Sequence, residues 1–118
     1  MQYLLMIYQN EAEYAKNDAA TSQKMLGEYQ AFTQSIIQSG NFKAGDRLQP
    51  TTTATTVRVR DGKTLTTDGP FAETREQLGG YIIIDVKDLD EALAIAARIP
   101  LARTSTVEVR PVREGEPS

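Results

Sequence analysis

The residues best suited to chemistry lie in one short stretch, residues 67–74, with the sequence TDGPFAET. Its carboxylate, Asp68, could act as a general acid or base if burial favoured the protonated form near neutral pH. Gly69 and Pro70 constrain the backbone, because a residue before proline is pushed towards extended conformations and glycine reaches angles that other residues avoid. Asp68 could also accept a hydrogen bond from the backbone two residues on, and such a turn cap is the commoner role of aspartate here.

Two features next to Asp68 indicate close packing around it. Phe71 is predicted to be an apolar anchor for the loop. Gly79 and Gly80 follow shortly after, and paired glycines in a strand mark an irregularity where another chain segment or a ligand approaches closely. We therefore include Gly69, Pro70 and Phe71 among the candidate ligand-binding residues, with an ordered, cross-packed loop as the simpler interpretation.

Four residues elsewhere complete the candidate site. Arg58 or Arg103 could bind an anionic group, and Tyr8 or Tyr81 could orient a substrate. The simpler interpretation of the arginines is an exposed or ion-paired surface position. For the two tyrosines it is packing in the core or at an interface.

The chain contains neither histidine nor cysteine. Histidine is the usual general base near neutral pH, the usual partner of a nucleophilic serine and the commonest metal ligand. Serine–histidine, cysteine–histidine and histidine–metal chemistry are therefore excluded, as are disulfides. Asp46, Asp68 and Glu73 could offer oxygen ligands to a hard cation, but their spacing matches no metal-binding loop. The sequence predicts no metal site and no cofactor.

Composition indicates a single ordinary domain. The chain has 118 residues, of which 40% are hydrophobic and 25% charged, as in an average globular protein. We assign residues 1–113 to the domain and residues 114–118 to a polar C-terminal tail. No segment has the length of apolar sequence needed for a membrane helix, and residues 1–8 lack the basic region of a secretory signal. We expect a cytoplasmic protein without a membrane partner.

Charge argues against nucleic acid as a partner. The net charge is −3 and the basic residues are scattered, whereas nucleic-acid binding normally requires a basic patch. Arg58, Arg60 and Lys63 form a small local exception, which we interpret as an exposed hairpin tip.

The elements that must position the candidate residues follow from apolar periodicity. Residues 3–8 and 81–86 are apolar on both alternating faces, which is typical of central strands covered on both sides. A helix is predicted from about Ala20 to Ser39, ended by Gly40. Its core-facing stripe follows helical spacing and consists of Met25, Tyr29, Phe32, Ile36 and Ile37.

The C-terminal half predicts a second helix and a last strand. Asp88 and Glu91 have the spacing of a capping box, and Pro100 ends the helix. Residues 104–112 then return as a strand, whereas residues 41–53 are interpreted as a linking stretch. The predicted buried stripe of the second helix consists of Leu89, Ala92, Leu93, Ala96 and Ile99.

Residues 55–60 and 63–67 predict a β-hairpin around Asp61-Gly62. A two-residue loop would place Leu65 opposite Arg58, whereas a three-residue loop with a glycine bulge would place Leu65 opposite Val57. We prefer the second register because it gives one consistent apolar face. The other face would then be polar and would consist of Thr56, Arg58, Thr64, Thr66 and Asp68.

With the hairpin set aside, we interpret the order as strand, helix, strand, strand, helix, strand, which is the ferredoxin-like βαββαβ pattern of an α+β protein. Its central strands should be the first and third, residues 3–8 and 81–86. Two helices cover only one face of such a sheet, so the apolar side chains on the other face need another cover. A second copy packed sheet to sheet would supply it, and we therefore predict a homodimer, a dimeric α+β barrel.

Several segments together resemble the YCII-related proteins of the DGPF type. The resemblance spans nearly the whole chain, and the Asp-Gly-Pro-Phe block with its Gly-Gly continuation is the most specific part. The segments are residues 3–8, 54–58, 67–74, 76–81, 88–92, 97–100 and 107–111.

The resemblance implies the dimeric α+β barrel fold and less about function. Some YCII relatives use a histidine–aspartate pair in the dimer cleft, and a few act on halogenated or hydroxylated aromatic compounds. Because this chain has no histidine, only Asp68 is transferred as a candidate catalytic residue. DGPF-type members are often encoded beside sigma factors of the extracytoplasmic-function class, which implies a regulatory link.

Two functions remain open from sequence alone. One is a small-molecule enzyme that uses Asp68 in a cleft at the dimer interface. The other is a non-catalytic ligand-binding or regulatory protein that contacts an extracytoplasmic-function sigma factor. The absence of histidine and cysteine favours the second function modestly, because it leaves few catalytic groups.

Overall fold

A computed structural model describes residues 1–114. The predicted polar tail therefore lies outside the described residues except for Glu114, whose Oε1 accepts a hydrogen bond from the Gln2 N–H at 2.9 Å. The elements in chain order are β1 (Gln2–Gln9), α1 (Glu11–Tyr14), α2 (Ala19–Gln38), β2 (Phe42–Arg47), a 3-10 turn (Thr51–Thr53), β3 (Thr55–Arg60), β4 (Lys63–Asp68), β5 (Gln77–Asp85), α3 (Leu89–Ala96), a second 3-10 turn (Pro100–Arg103) and β6 (Thr106–Pro111).

The main sheet has four antiparallel strands in the order β2-β5-β1-β6. The two strands that the sequence marks as apolar on both faces, β1 and β5, are its central pair, and the ferredoxin-like α+β prediction is confirmed. Side chains alternate between the two faces of a strand. Tyr3, Leu5 and Ile7 of β1 and Ile82 and Ile84 of β5 are buried on the face that the helices cover.

Helix α2 begins and ends where its sequence predicts. The Asp18 side chain accepts a hydrogen bond from the Thr21 N–H at 2.7 Å, which caps the first turn. Gly40 adopts a positive φ of 82°, which is the usual end of a helix. Phe32 and Ile36 are buried, whereas Ile37 is about half exposed and does not widen the buried stripe as predicted.

The predicted linking stretch, residues 41–53, contains the second strand of the ferredoxin-like pattern. Residues Phe42–Arg47 form β2, which pairs with β5 along one edge of the sheet. Its sequence, FKAGDR, is rich in residues that strands generally disfavour. Pairing with β5 and burial of Phe42 against the core stabilise the strand, and neither is visible in local sequence.

The hairpin β3–β4 has the register that we rejected from sequence. Arg58 pairs with Leu65 and Val57 with Thr66, as a two-residue loop requires. Asp61 and Gly62 both have positive φ, 52° and 75°, which matches a turn whose twist suits a hairpin. The predicted polar face is therefore wrong.

The two faces of the hairpin each mix polar and apolar side chains, because directly paired residues share a face. One face carries Thr56, Arg58, Leu65 and Thr67, and the other carries Val57, Val59, Thr64, Thr66 and Asp68.

Helix α3 is shorter than predicted. The Asp88 carboxylate caps it by accepting from the Glu91 N–H at 2.9 Å, but the helix ends at Ala96 and the chain reaches Pro100 without further helix. Leu89 and Leu93 of the predicted stripe are about half exposed. The side chains that do face the core here are Ala92, Ile95, Ala96 and Ile99.

The hairpin gives the chain an extended outline. The radius of gyration is 16.3 Å, against about 13 Å for a compact domain of roughly 100 residues. Strands β3 and β4 make their substantial contacts with each other, and no other described element packs broadly against them. Within residues 1–114, no helix combines the length and the apolar character that a membrane crossing requires.

Candidate functional site

The carboxylate proposed for catalysis, Asp68, is exposed at the end of β4. The turn after it is held by other groups: the Gly69 N–H donates to the Ala54 carbonyl at 2.7 Å, and the Thr56 hydroxyl donates to the Gly69 carbonyl at 2.8 Å. Asp68 cannot cap the turn as predicted, because Pro70, two residues on, has no N–H. Gly69 has a φ of 100°, which confirms the need for glycine there.

Phe71 is 77% exposed, so the prediction of an apolar anchor is wrong for the single chain. Its ring instead lies under the guanidinium group of Arg58, with 5.5 Å between the guanidinium carbon and the ring centroid. This is the distance of a cation–π contact. Arg58 and Phe71 therefore come together, whereas Arg58 and Asp68 lie on opposite faces of the hairpin.

Tyr8 and Tyr81 lie on the outer face of the main sheet, the face that the helices leave uncovered. Tyr81 pairs with Met6, and the Tyr81 hydroxyl donates to Asp46 Oδ2 at 3.4 Å. Tyr8 pairs with Leu78 on the same face, beyond an irregularity in the ladder.

Arg103 lies on the opposite, helix-covered side and forms an ion pair with Glu28 of α2. The single chain therefore does not assemble the predicted site residues into one cleft. Gly69 and Pro70 line a separate surface pocket, which they share with Glu73, Thr74 and Gln77.

A different concavity, which sequence reasoning missed, lies on the helix side at the end of the sheet where β1 ends and β5 begins. It consists of an apolar cavity of about 60 Å³ and two larger compartments that border it at Tyr14. We call the whole the Tyr14 groove, because Tyr14 and Gln9 line all three parts. The walls of the apolar cavity include Ile7, Met25, Leu26, Tyr29, Leu48, Gly80 and Leu101.

The two glycines that the sequence marks as irregular help to shape the groove. The ladder between β1 and β5 shifts register between Ile7 and Tyr8, opposite Gly79. A Cβ at Gly79 would lie 2.9 Å from the Gln9 side chain, and one at Gly80 would lie 3.2 Å from the Asp46 carbonyl oxygen. The predicted close approach at these glycines is confirmed, and Gly80 lines the cavity without filling it.

Tyr29 and Arg47 give the apolar cavity a polar edge. Burial raises the pKa of the Tyr29 hydroxyl above its ordinary value, while the positive charge of Arg47 opposes this rise and the negative charge of Asp46 adds to it. The hydroxyl is therefore protonated at neutral pH and can donate a hydrogen bond. Arg47 is exposed, and none of the ion pairs found within residues 1–114 includes it.

The two larger compartments are lined by different charged residues. One of about 590 Å³, the Arg47 compartment, is bounded by Arg47, Leu48 and Pro50. The other, of about 500 Å³, is the Glu76 compartment, which includes Glu76, Thr104 and Ser105. Across residues 1–114, Glu76 Oε1 is the one buried side-chain oxygen or nitrogen that lacks a hydrogen-bond partner.

No cluster of carboxylates within the described part of the chain is arranged to hold a metal ion. The groups that the groove presents are its apolar walls, the Tyr29 hydroxyl, the Arg47 guanidinium and the Glu76 side chain. These groups come from α2, β2 and the segment before β5. Because the three segments are far apart in the chain, no short sequence motif contains all of these groups. The paired glycines were the one local signal in the sequence.

Comparison with known proteins gives the family. The sequence model of the YCII-related domain matches residues 1–116. The chain belongs to the YCII-related family. An uncharacterized protein of Rhizobium meliloti (strain 1021) is 37% identical over 114 residues, which cover 95% of this chain and 92% of that protein. The resemblance to YCII-related proteins is thereby confirmed at the level of the family.

The histidine–aspartate pair that the resemblance implies for some relatives cannot form here, because this YCII-related chain contains no histidine. Its candidate groups are the exposed Asp68 and the side chains of the Tyr14 groove. Of these, the groove alone combines an apolar cavity with charged groups at its edges.

Proposed function

We propose that this YCII-related protein binds a small, partly apolar anion in the Tyr14 groove. The observation that carries the proposal is the apolar cavity of about 60 Å³ with Arg47 and Tyr29 at its edge. A short hydrocarbon chain fits such walls, and each buried methylene group contributes about 0.8 kcal/mol. A carboxylate on that chain would receive donors from the Arg47 guanidinium and the Tyr29 hydroxyl.

Titration calorimetry with straight-chain carboxylates tests this assignment. Affinity should rise from propionate to hexanoate as methylene groups enter the cavity, and the gain should then stop. Arg47→Met should weaken hexanoate binding about fivefold, because an exposed ion pair contributes up to about 1 kcal/mol. Arg60→Met is the matched control, since Arg60 lies on the hairpin, and it should leave binding unchanged. Absence of saturable binding for the whole series would refute the proposal.

We further propose that the protein acts as a homodimer through the outer face of the main sheet. That face carries Leu4, Met6 and Ile83 beside Tyr8 and Tyr81, and the helices lie on the other side. A second copy is the occupant that this proposal names, because a self-complementary apolar sheet face is buried by a twofold-related copy.

Analytical ultracentrifugation tests the dimer with a matched pair of variants. Ile83→Lys should yield monomers, because it places a charge in the proposed interface. Leu93→Lys, on the exposed side of α3, should remain dimeric. A monomeric wild-type protein would exclude this interface.

Catalysis by Asp68 requires the dimer, since Asp68 is exposed in the single chain and a second copy would have to cover it. The geometry therefore favours binding in the groove over acid–base catalysis at Asp68. The Asp68→Asn variant keeps the size of the side chain and removes the base. Turnover that survives this change, measured on any substrate found for the wild-type protein, would eliminate the catalytic role.

A regulatory contact with a sigma factor of the extracytoplasmic-function class is the second candidate function. The exposed hairpin supports it, because Val57 and Val59 are 59% and 58% exposed on one face and could dock a protein partner. Co-purification from cells should retain the sigma factor with the wild-type protein and lose it with Val57→Asp. Equal recovery of the sigma factor with both proteins, or its absence from both, would count against the contact.

A further inference from the structure

The hairpin β3–β4 lacks the support that a sheet of its size needs. An isolated two-stranded hairpin is marginally stable in water, and independent stability requires a third strand or a packed element. Here β3 and β4 form a two-stranded sheet by themselves, and no other described element packs broadly against them. All of β4 is exposed, so a contact from outside the chain would stabilise the hairpin.

Among the open sheet edges within residues 1–114, the edge of β4 is the least protected. Natural sheets guard their open edges with charged side chains, prolines and bulges. Strand β2 has three charged residues and a register shift, and β6 has the Glu108–Arg110 ion pair and ends at Pro111. In β3, the Arg60 guanidinium donates to a carbonyl of its own strand. The interior of β4, residues 64–67 with the sequence TLTT, has none of these features.

The hairpin ladder fixes which backbone groups of β4 point to the open edge. The Gly69 N–H donates to the Ala54 carbonyl at 2.7 Å, and the same register continues along the hairpin without a shift. In an antiparallel pair, only every second residue directs its N–H and C=O to the neighbouring strand. The backbone groups of Thr64, Thr66 and Asp68 therefore point away from β3, towards the open edge.

This edge is complementary to itself in one antiparallel register. A twofold axis between two paired edges places one residue opposite its own copy. With Leu65 at the axis, the two leucines face each other, and each Thr64 lies opposite Thr66 of the second copy. Apolar pairs and threonine pairs are favourable across strands, and no like charges are directly opposed. The outward backbone groups of Thr64 and Thr66 can then exchange both hydrogen bonds of an antiparallel pair on each side of the axis.

We infer that the open edge of β4 pairs with the β4 edge of a second copy of this chain, about a twofold axis at Leu65. The two hairpins then form one four-stranded sheet in the order β3-β4-β4-β3. This contact is separate from the groove and from the outer face of the main sheet. A single short edge is too small to bury the roughly 1,200 Å² of a stable interface, so the pairing is weak and depends on protein concentration.

Disulfide trapping tests this register, because the chain has no cysteine of its own. Directly opposed residues that do not exchange hydrogen bonds lie about 4.5 Å apart between Cα atoms, which suits a disulfide. Leu65→Cys should therefore form a covalent dimer in a buffer of oxidised and reduced glutathione. Thr67→Cys is the matched control, exposed on the same face of the same strand. The inferred register separates its two copies by about 13 Å along the strand, so it should remain monomeric on non-reducing gels.

Equal crosslinking of the two variants would indicate random collision and overturn the inference, as would the absence of a covalent dimer for Leu65→Cys.

Hydrogen exchange provides a second measurement on the wild-type protein, in which the leucine pair is intact. The amides of Thr64 and Thr66 should exchange more slowly as protein concentration rises. The amides of Val57 and Val59 point to the opposite edge of the same ladder and should not change. A concentration dependence that is absent, or that is equal at both edges, would overturn the inference.

One further variant separates this contact from the outer-face dimer. Leu65→Lys places like charges directly opposite each other at the axis, which destabilises the pairing. It should remove the concentration dependence at Thr66 and leave sedimentation at low protein concentration unchanged, because the outer face of the main sheet is intact. Persistence of the concentration dependence in Leu65→Lys would overturn the inference. A wild-type protein that is monomeric at low concentration would exclude only the outer-face dimer.

Discussion

The main sheet and the hairpin β3–β4 both contain β-branched apolar residues but hold them in opposite environments. Ile82 in β5 is 1% exposed, whereas Val57 in β3 is 59% exposed. Both are β-branched residues with high strand propensity. The difference arises because α2 and α3 cover one face of the main sheet, and no described element packs broadly on the hairpin. Strand propensity therefore predicts where strands form, and packing decides which of them are buried.

The register error in the hairpin follows from the same difference. A buried face strongly specifies register, because a slip by one residue moves every side chain to the other face. The hairpin has no face covered by the rest of the chain, so a consistent apolar face has little influence on its register. The Asp61-Gly62 turn decides it instead.

Truncation of one side chain in each region should give the largest difference in stability between the main sheet and the hairpin. Ile82→Ala should lower the free energy of unfolding by about 2–5 kcal/mol, because it leaves a cavity in the packed core. Val57→Ala should change it by less than about 0.5 kcal/mol, as exposed positions do. Urea denaturation measures both. A large loss for Val57→Ala would mean that a second copy or another partner covers the hairpin.

Adding one methyl group to the sheet should have the next largest effect. A Cβ at Gly45 would lie 2.7 Å from the backbone oxygen of Tyr81, so Gly45→Ala should cost about 1–3 kcal/mol by forcing β2 away from β5. Gly27→Ala is the control, because no neighbouring atom lies within 4 Å of that Cβ. It should stabilise α2 by about 0.5–1 kcal/mol. Thermal unfolding of the two variants should therefore shift in opposite directions.

Strain introduced in the hairpin turn should remain local. Gly62 has a φ of 75°, and a side chain in that conformation costs about 1–2 kcal/mol. Gly62→Ala should therefore speed amide hydrogen exchange in β3 and β4 and leave the slowest amides of β1 and β5 unchanged, because regions with few packing contacts open independently. Faster exchange throughout the sheet would show that the two regions unfold together.

The smallest expected effect is on the pH dependence of stability, and it comes from an exposed ion pair at the edge of the sheet. The Met1 ammonium donates to Asp85 Oδ1 at 3.0 Å, and it holds the pKa of that carboxyl below its ordinary value. A lowered folded-state pKa contributes stability above the unfolded value, and this contribution is lost as pH falls through the folded one. Asp85→Asn should therefore reduce the loss of stability below about pH 4. An unchanged acid profile would show that the pair contributes nothing measurable.

The sequence was most informative about features that depend only on residues near one another in the chain. Asp18 and Asp88 cap their helices as side-chain acceptors next to unpaired N–H groups. The double-sided apolar pattern of β1 and β5 identified the central strands. The prediction failed at β2, because Phe42–Arg47 becomes a strand by pairing with β5 rather than by its own composition.

The candidate site was far less predictable than the fold. Asp68 and Arg58 were expected on one polar face of the hairpin, yet they lie on opposite faces, and Arg103 pairs with Glu28 on the helix side. The Tyr14 groove instead draws on separate segments that meet at one end of the sheet. Only the irregularity at Gly79 and Gly80 indicated that region in advance.

By itself, the sequence determined which segments are central strands and capped helices, where the hairpin turns, and that histidine and cysteine chemistry is absent. These properties depend on side-chain periodicity, on hydrogen bonds between near neighbours and on composition. The tertiary structure alone decided the edge strand β2, the burial of one sheet face and the meeting of Tyr14, Arg47 and Glu76 around one groove. Those outcomes depend on contacts between residues far apart in the chain, which packing of the whole domain selects.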